Sequence, residues 1–157
     1  MGPLVAKALG APFIDLDRVI ADRAGKTISQ IFAETGEFGF RALEREEMQR
    51  MLAGRPSVIA AGGGWAAQPG NLESVGKRAL TVYLRVSPEV AASRTATTPD
   101  ARPLLSGGDA GNQLIELLRA REAFYQRSEA TVDADAPALA SVAGEVANLA
   151  RSLGGWY

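Results

Sequence analysis

The sequence predicts an α/β protein with three layers, a parallel sheet carrying helices on both faces. Three observations carry this prediction. Short apolar segments rich in β-branched and aromatic residues alternate with amphipathic stretches along the whole chain. Glycines and prolines stand at nearly every changeover. The 157 residues suit one domain large enough to bury a core, with no internal repeat and no low-complexity tail.

The elements follow in order. Residues 3–9, within "GPLVAKALG", read as a helix stopped by Gly10. "PFIDLD" (12–17) is a short strand ending in two acids. "DRVIADRAG" (17–25) is a helix that Asp17 can cap and Gly25 ends. "TISQIFAETG" (27–36) repeats that pattern, with Thr27 at the N-cap and Gly36 as the stop. "EFGFRALEREEMQRMLAG" (37–54) is a longer helix with an apolar stripe of Phe40, Leu43, Met48, Met51 and Leu52. "SVIAAGGG" (57–64) is a buried strand running into a glycine turn, and "ALTVYLRV" (79–86) is the clearest strand. Ser87 and Pro88 start a helix that runs to about Thr95. "TTPDARPLLSGGDAGN" (97–112) is too polar and too broken for a core element and reads as a mobile loop. A helix over 113–129, a strand over 130–135 and a closing helix over 137–153 complete the chain.

Composition narrows the chemistry. Hydrophobic residues make up 46% and charged residues 22%, ordinary values for a globular protein. Seventeen basic and eighteen acidic residues give a net charge of −1, which suggests no nucleic-acid partner. No apolar run approaches a membrane span and no secretory signal is present, so no membrane partner is expected and the cytoplasm is the default location. The sequence has no cysteine and no histidine. Disulfides, thiol nucleophiles, Ser-His-Asp triads and His- or thiolate-ligated metals are therefore excluded. What remains is carboxylates, Arg, Lys, backbone amides and a hard cation held by oxygen.

Ligands of open parallel sheets bind at the carboxyl ends of the strands, which here carry "DLD", "GGG" and the turn around "DAD". Asp15 and Asp17 lie two apart and point the same way if extended geometry persists. Together they can hold a hydrated cation, or one can accept a proton from a hydroxyl; alternatively, Asp17 is simply a helix cap. Gly62, Gly63 and Gly64 let a ligand approach the backbone, or else form only a tight turn. Arg41 and Glu44, three apart on one helix, can form an oriented guanidinium or an ordinary solvated pair. Arg121 shares its helix with Arg119 and Arg127, which also fits a basic exposed face. Arg102, in the 97–112 loop, is placed to close over phosphate if that loop acts as a lid.

Taken together, "FIDLD", "TISQIFAETGEFGFRALERE", "AAGGG", "RPLL" and "REAFY" resemble shikimate kinases in order and spacing, over essentially the whole chain. The resemblance implies a P-loop kinase fold, here without its first strand, with a substrate-binding helical region at 27–56 and a lid at 97–112. It implies a monomer that transfers phosphate from ATP, with Mg²⁺, to the 3-hydroxyl of shikimate, on the route to chorismate and the aromatic amino acids. On that resemblance Asp17 contacts the shikimate hydroxyls and acts as base, and Asp15 lies near the Mg²⁺ water shell. Arg41 and Arg121 clamp the carboxylate, and Gly62, Gly63 and Gly64 form a backbone platform under the ring. Arg102 is similar to the lid arginine that reaches the ATP phosphates, and Arg94 to a basic residue on the nucleotide side. Phe32 and Phe40 match apolar positions beside the pocket, a placement compatible with helix core.

Three departures stand out. "DADAPA" lacks the basic residue often found on the adenine side, and Trp65 stands where smaller residues are common. The "GxxGxGK[ST]" loop that cradles phosphates in the family has no counterpart. Met1-Gly2 aligns with the residues that follow that loop, so the first helix is similar to the one whose N-terminus points at ATP phosphates. The expectation is a misassigned start, which translation of the upstream DNA would test. A further expectation is that the chain alone exposes two unpaired strand edges, is poorly stable and is essentially inactive as a kinase. A non-catalytic shikimate-binding or regulatory module is the alternative, and another small-metabolite kinase a weaker third reading.

Overall fold

The computed structural model describes residues 1–96, 110–135 and 138–156. In chain order the elements are α1 (Gly2–Leu9), β1 (Phe13–Asp15), α2 (Leu16–Ala24), α3 (Ile28–Leu52), β2 (Val58–Ala60), α4 (Gly62–Ala66) and α5 (Asn71–Val75). A 3₁₀ turn (Gly76–Arg78), β3 (Val82–Arg85), α6 (Pro88–Ala96), α7 (Ala110–Tyr125), β4 (Ala130–Asp133) and α8 (Leu139–Ser152) follow. The expected alternation is present. All observed strand pairing is parallel, β1 with β2 and β3 with β4.

The single predicted sheet takes the form of two such pairs, because β2 and β3 do not hydrogen-bond to each other. The residues of β2 from Val58 to Ala60 and of β3 from Val82 to Leu84 are only half-buried. The two pairs also have separate apolar cores. One gathers Leu16, Ile20, Ile31, Phe40, Met48, Trp65 and Val75, with Ile59 of β2 against it. The other gathers Val132, Ala134 and Val142, with Val82, Leu84 and Met1 packed around it.

Helix α1 lies against α8 and both strands of the first pair, and so links the two halves. Gly10 ends α1 in the left-handed conformation. The chain's last residues satisfy two of its terminal carbonyls: Arg151 donates to Ala8 O, and the Trp156 indole donates to Leu9 O at 3.1 Å. Helix ends leave such acceptors open, so this contact ties the tail to the helix it caps.

Local rules account for most boundaries, and correct one expectation. Asp15, not Asp17, is the N-cap of α2; it is extended (φ −102°, ψ 120°) and its carboxylate accepts from Arg18 N at 3.3 Å. The strand thus ends two residues early, and Asp17 falls in the first helical turn. At α3, Thr27 and Gln30 form a reciprocal capping box, the arrangement their three-residue spacing allows. The two helices expected over 27–36 and 37–54 form one element broken at Gly36, whose φ of 67° and ψ of −177° only glycine adopts readily. The glycines after β2 start a short helix, α4, where a simple turn was expected. The stretch 71–78, read as no element, holds α5 and the 3₁₀ turn.

Of the loop expected over 97–112, residues 110–112 belong to α7, and 97–109 lie outside the described residues. That helix ends at Tyr125, four residues before its expected end. None of the helices, among the described residues, is long and apolar enough to cross a membrane.

Candidate active site

Three segments converge at the carboxyl ends of β1 and β2: the start of α2, the middle of α3 and the glycine turn of α4. The centre is Arg41. Its side chain is only 8% exposed, and Nη1 donates to Glu44 Oε2 at 2.7 Å, with Glu44 buried beside it. Nη2 reaches Glu37 Oε1 at 3.4 Å, one turn earlier on α3. The i, i+3 spacing therefore yields the oriented guanidinium and excludes the solvated pair. The third guanidinium donor, Nε, is buried without a partner among the described residues. A buried unpaired N–H on a cation is costly, and an anionic ligand would relieve it.

Gly64 completes the seat. A Cβ at this position would run into the Arg41 guanidinium, 2.9 Å from Cζ. The backbone is thus bare because the arginine lies against it, a more specific reason than open access for a ligand. Gly63 has the same relation to a different residue, since a Cβ there would lie 2.7 Å from the Tyr125 hydroxyl. Gly62 has a positive φ of 70° and no atom near its missing Cβ.

Electrostatics link the remaining acids and bases. The Asp17 carboxyl is pushed above its ordinary value, mainly by partial burial and next by the charge of Asp15, while Arg41 pulls it down. Burial likewise raises Glu44; Arg41 lowers it through a hydrogen bond and its charge, Asp17 raises it, and Arg121 lowers it. These couplings bring Asp15, Asp17, Arg41, Glu44 and Arg121 into one field, although Arg121 belongs to α7. Phe40 lies in the core and Phe32 against it, with ring centroids 4.4 Å apart, so both serve as helix core.

The raised Asp17 has a consequence for stability. Its native form binds protons more readily than the unfolded chain does. Its stabilising contribution is therefore complete below the unfolded value of 3.8 and is lost as pH rises through the native value. At neutral pH the ionised group is a net liability. Asp17→Asn is expected to raise the melting temperature at pH 7 by roughly one or two degrees. The gain should vanish below pH 3.8, which melting curves across pH would check.

Arg94 lies apart from this group: exposed on α6, it donates through Nη1 to the Ala134 carbonyl at 2.9 Å, at the end of β4. Arg102 lies outside the described residues. Two contributors were not selected from the sequence. In the sequence Glu44 stands out only as a partner for Arg41, and Tyr125 only as the end of "REAFY". The spacing of Tyr125, four residues after Arg121 and thus on the same helix face, was the available signal. Trp65 is buried in the core below the glycines, with its indole N–H unpartnered among the described residues.

The family model for shikimate kinase matches residues 1–150. A shikimate kinase of Chlorobium chlorochromatii is 38% identical over 154 residues, covering 93% of this chain and 80% of the relative. One of Symbiobacterium thermophilum is 38% identical over 148 residues, covering 93% and 85%. Among solved structures, the shikimate kinase of Acinetobacter baumannii in complex with shikimate superposes with a TM-score of 0.87 at 31% identity, covering 97% of this chain and 86% of that one. The enzyme of Bacteroides thetaiotaomicron gives 0.83 at 32% identity, covering 96% and 88%. The same residues that build the site therefore sit in a chain matched along nearly its full length in both sequence and fold, and the chain belongs to the shikimate kinase family.

Proposed function

We propose that this site binds shikimate and that the chain serves the ATP-dependent phosphorylation of its 3-hydroxyl. The observation that carries the reading is the buried Arg41, fixed by Glu44 against Gly64 and left, among the described residues, with an unpaired N–H. A cation held that rigidly is suited to a carboxylate, since little ordering remains to be done on binding. Arg121 supplies the second positive charge from α7. The backbone of Gly62, Gly63 and Gly64 lies under the ring.

Asp17 is the group for the proton of the attacking hydroxyl. Its raised affinity for protons makes it a better acceptor than an ordinary surface aspartate. Family membership brings a nucleotide donor and a metal with it; in this reading they are ATP and Mg²⁺. Among the described residues no three acids cluster as a metal cage. Mg²⁺, however, keeps most of its waters and needs only one or two carboxylates beside phosphates. Asp15, whose charge is felt at Asp17, fits that requirement and would hold the hydrated ion. When bound, the ion neutralises charge on the transferring phosphate. Arg94 on the nucleotide side, and Arg102 from the 97–112 lid, are assigned to the phosphates. The reading places the protein in the cytoplasm as a monomer, with no nucleic acid or membrane as partner.

Titration calorimetry with shikimate, paired with an ADP-release assay containing ATP and Mg²⁺, tests this. Saturable shikimate binding is the expected result, with little ADP release from these 157 residues alone, because they carry no GxxGxGK[ST] loop to cradle the phosphates. Brisk ADP release would show that this loop is dispensable here, and no binding would refute the reading.

A further inference from the structure

Arg41 and Arg121 belong to different helices, α3 and α7, so something must fix their separation. We infer that Tyr125 is the positioning residue that does this, holding α7 and its Arg121 against the glycine platform. The inference rests on the reading of this site as the shikimate site.

The geometry is local and specific. Tyr125 is buried, one helical turn after Arg121 and on the same face of α7. Its hydroxyl donates to the Gly63 carbonyl at 3.1 Å. Its ring stacks at a tilt on Tyr83 of β3, centroids 5.2 Å apart. Burial first, and then the nearby charge of Glu122, the residue after Arg121, raise the Tyr83 hydroxyl above its ordinary value. Helix α7 is therefore moored to β3 by Tyr83 and to α4 by Tyr125. Arg41 presses on Gly64 while Tyr125 presses on Gly63, so two adjacent glycines form a common bed for both arms of the clamp.

The hydrogen bond is not needed to satisfy the Gly63 carbonyl. That oxygen also accepts Ala67 N at 3.2 Å, within α4. Losing the tyrosine hydroxyl leaves no orphaned acceptor, and its specific contribution is where it holds the helix. Removing it should therefore weaken ligand binding more than folding. Tyr125→Phe keeps the ring and its contact with Tyr83.

The expected result is a roughly fivefold loss of shikimate affinity by calorimetry. The unfolding midpoint should stay close to wild type, and the ¹³C carbonyl signal of Gly63 should shift. Gly63→Ala, which drives a methyl at the hydroxyl, should weaken binding by itself but add little in the Tyr125→Phe background, where the obstructing oxygen is gone. Wild-type affinity in Tyr125→Phe, or strictly additive losses in the double variant, would overturn the inference. Arg41→Ala, measured in parallel, separates the two claims. If it loses binding while Tyr125→Phe does not, only the tyrosine's role fails. If it binds as wild type, or if the wild type binds no shikimate, the site reading fails and the inference with it.

Discussion

Arg41→Ala is expected to lower shikimate affinity by more than about 100-fold, the largest effect of any single change in the site. On the proposed reading, the substitution removes a donor to the shikimate carboxylate. It also strands Glu44, which is 2% exposed and has Arg41 as its hydrogen-bonding partner. Breaking a buried pair in this way costs about 3 kcal/mol where the remaining partner stays charged.

That cost depends on pH, and the sign follows from the shifts. Burial already raises Glu44, and Arg41 is the chief influence holding it down. Without Arg41 the carboxyl rises further, so the native state takes up a proton more readily than the unfolded chain does. The contribution of such a group is fully present below the unfolded value of 4.5 and is lost as pH rises through the native one. The destabilisation of Arg41→Ala should therefore be greatest at neutral pH, shrink as pH falls through the raised native value and be smallest below pH 4.5. Arg41→Ala combined with Glu44→Gln should recover much of the stability and none of the binding. Denaturant unfolding at several pH values and calorimetry on both variants check this; equal loss at all pH values would show that Glu44 is not the stranded group.

The sequence made the site's parts visible more readily than its joints. Asp15, Asp17, Arg41, Arg121 and the three glycines could be picked out because strand ends, bare backbone and paired charges leave local signatures. Which acid caps α2 could not be picked out. Asp15 and Asp17 are both good N-caps, and the choice depends on where β1 stops pairing with β2 at Ala60. The meaning of the glycines was hidden for a similar reason. Open backbone predicts close approach by something. That Arg41 and Tyr125 are the approaching groups depends on the arrival of α3 and α7 from 23 and 62 positions away in the chain, a property of packing that no spacing expresses.

The fold divides along the same line. Helix limits set by glycine or a capping box, at Gly10, Gly25 and Thr27, are local and were legible. The short helices at 71–78 were not, because five-residue elements owe their conformation to neighbours more than to periodicity. Asn71, buried and donating to the Trp65 carbonyl at 2.9 Å, shows such a neighbour acting. Division of the strands into two pairs agrees with the expectation of a sheet that lacks one strand and leaves strand edges unpaired, although which strands pair is a matter of long-range contact. Each strand has the composition of a buried one, and composition does not say which edges meet.

Gly64→Ala tests the packing argument without touching any charge. The added methyl must share space with the Arg41 guanidinium. An arginine tip in solvent would swing aside, but this one is buried and tied to Glu44 at 2.7 Å. Moving it loosens the ion pair; holding it strains α4. Either way the expected cost is about 1–3 kcal/mol in unfolding free energy, with shikimate affinity down about tenfold or more because the cation leaves its fixed position. Arg41→Lys weakens binding for its own reason, since an ammonium cannot form the same fork, yet it presents a slimmer end to the methyl. In that background Gly64→Ala should therefore add little, giving non-additive losses in a double-mutant cycle measured by calorimetry. Additive losses would mean that the alanine acts through the α4 backbone alone. The third glycine would then be a requirement of the turn and have no part in seating the arginine.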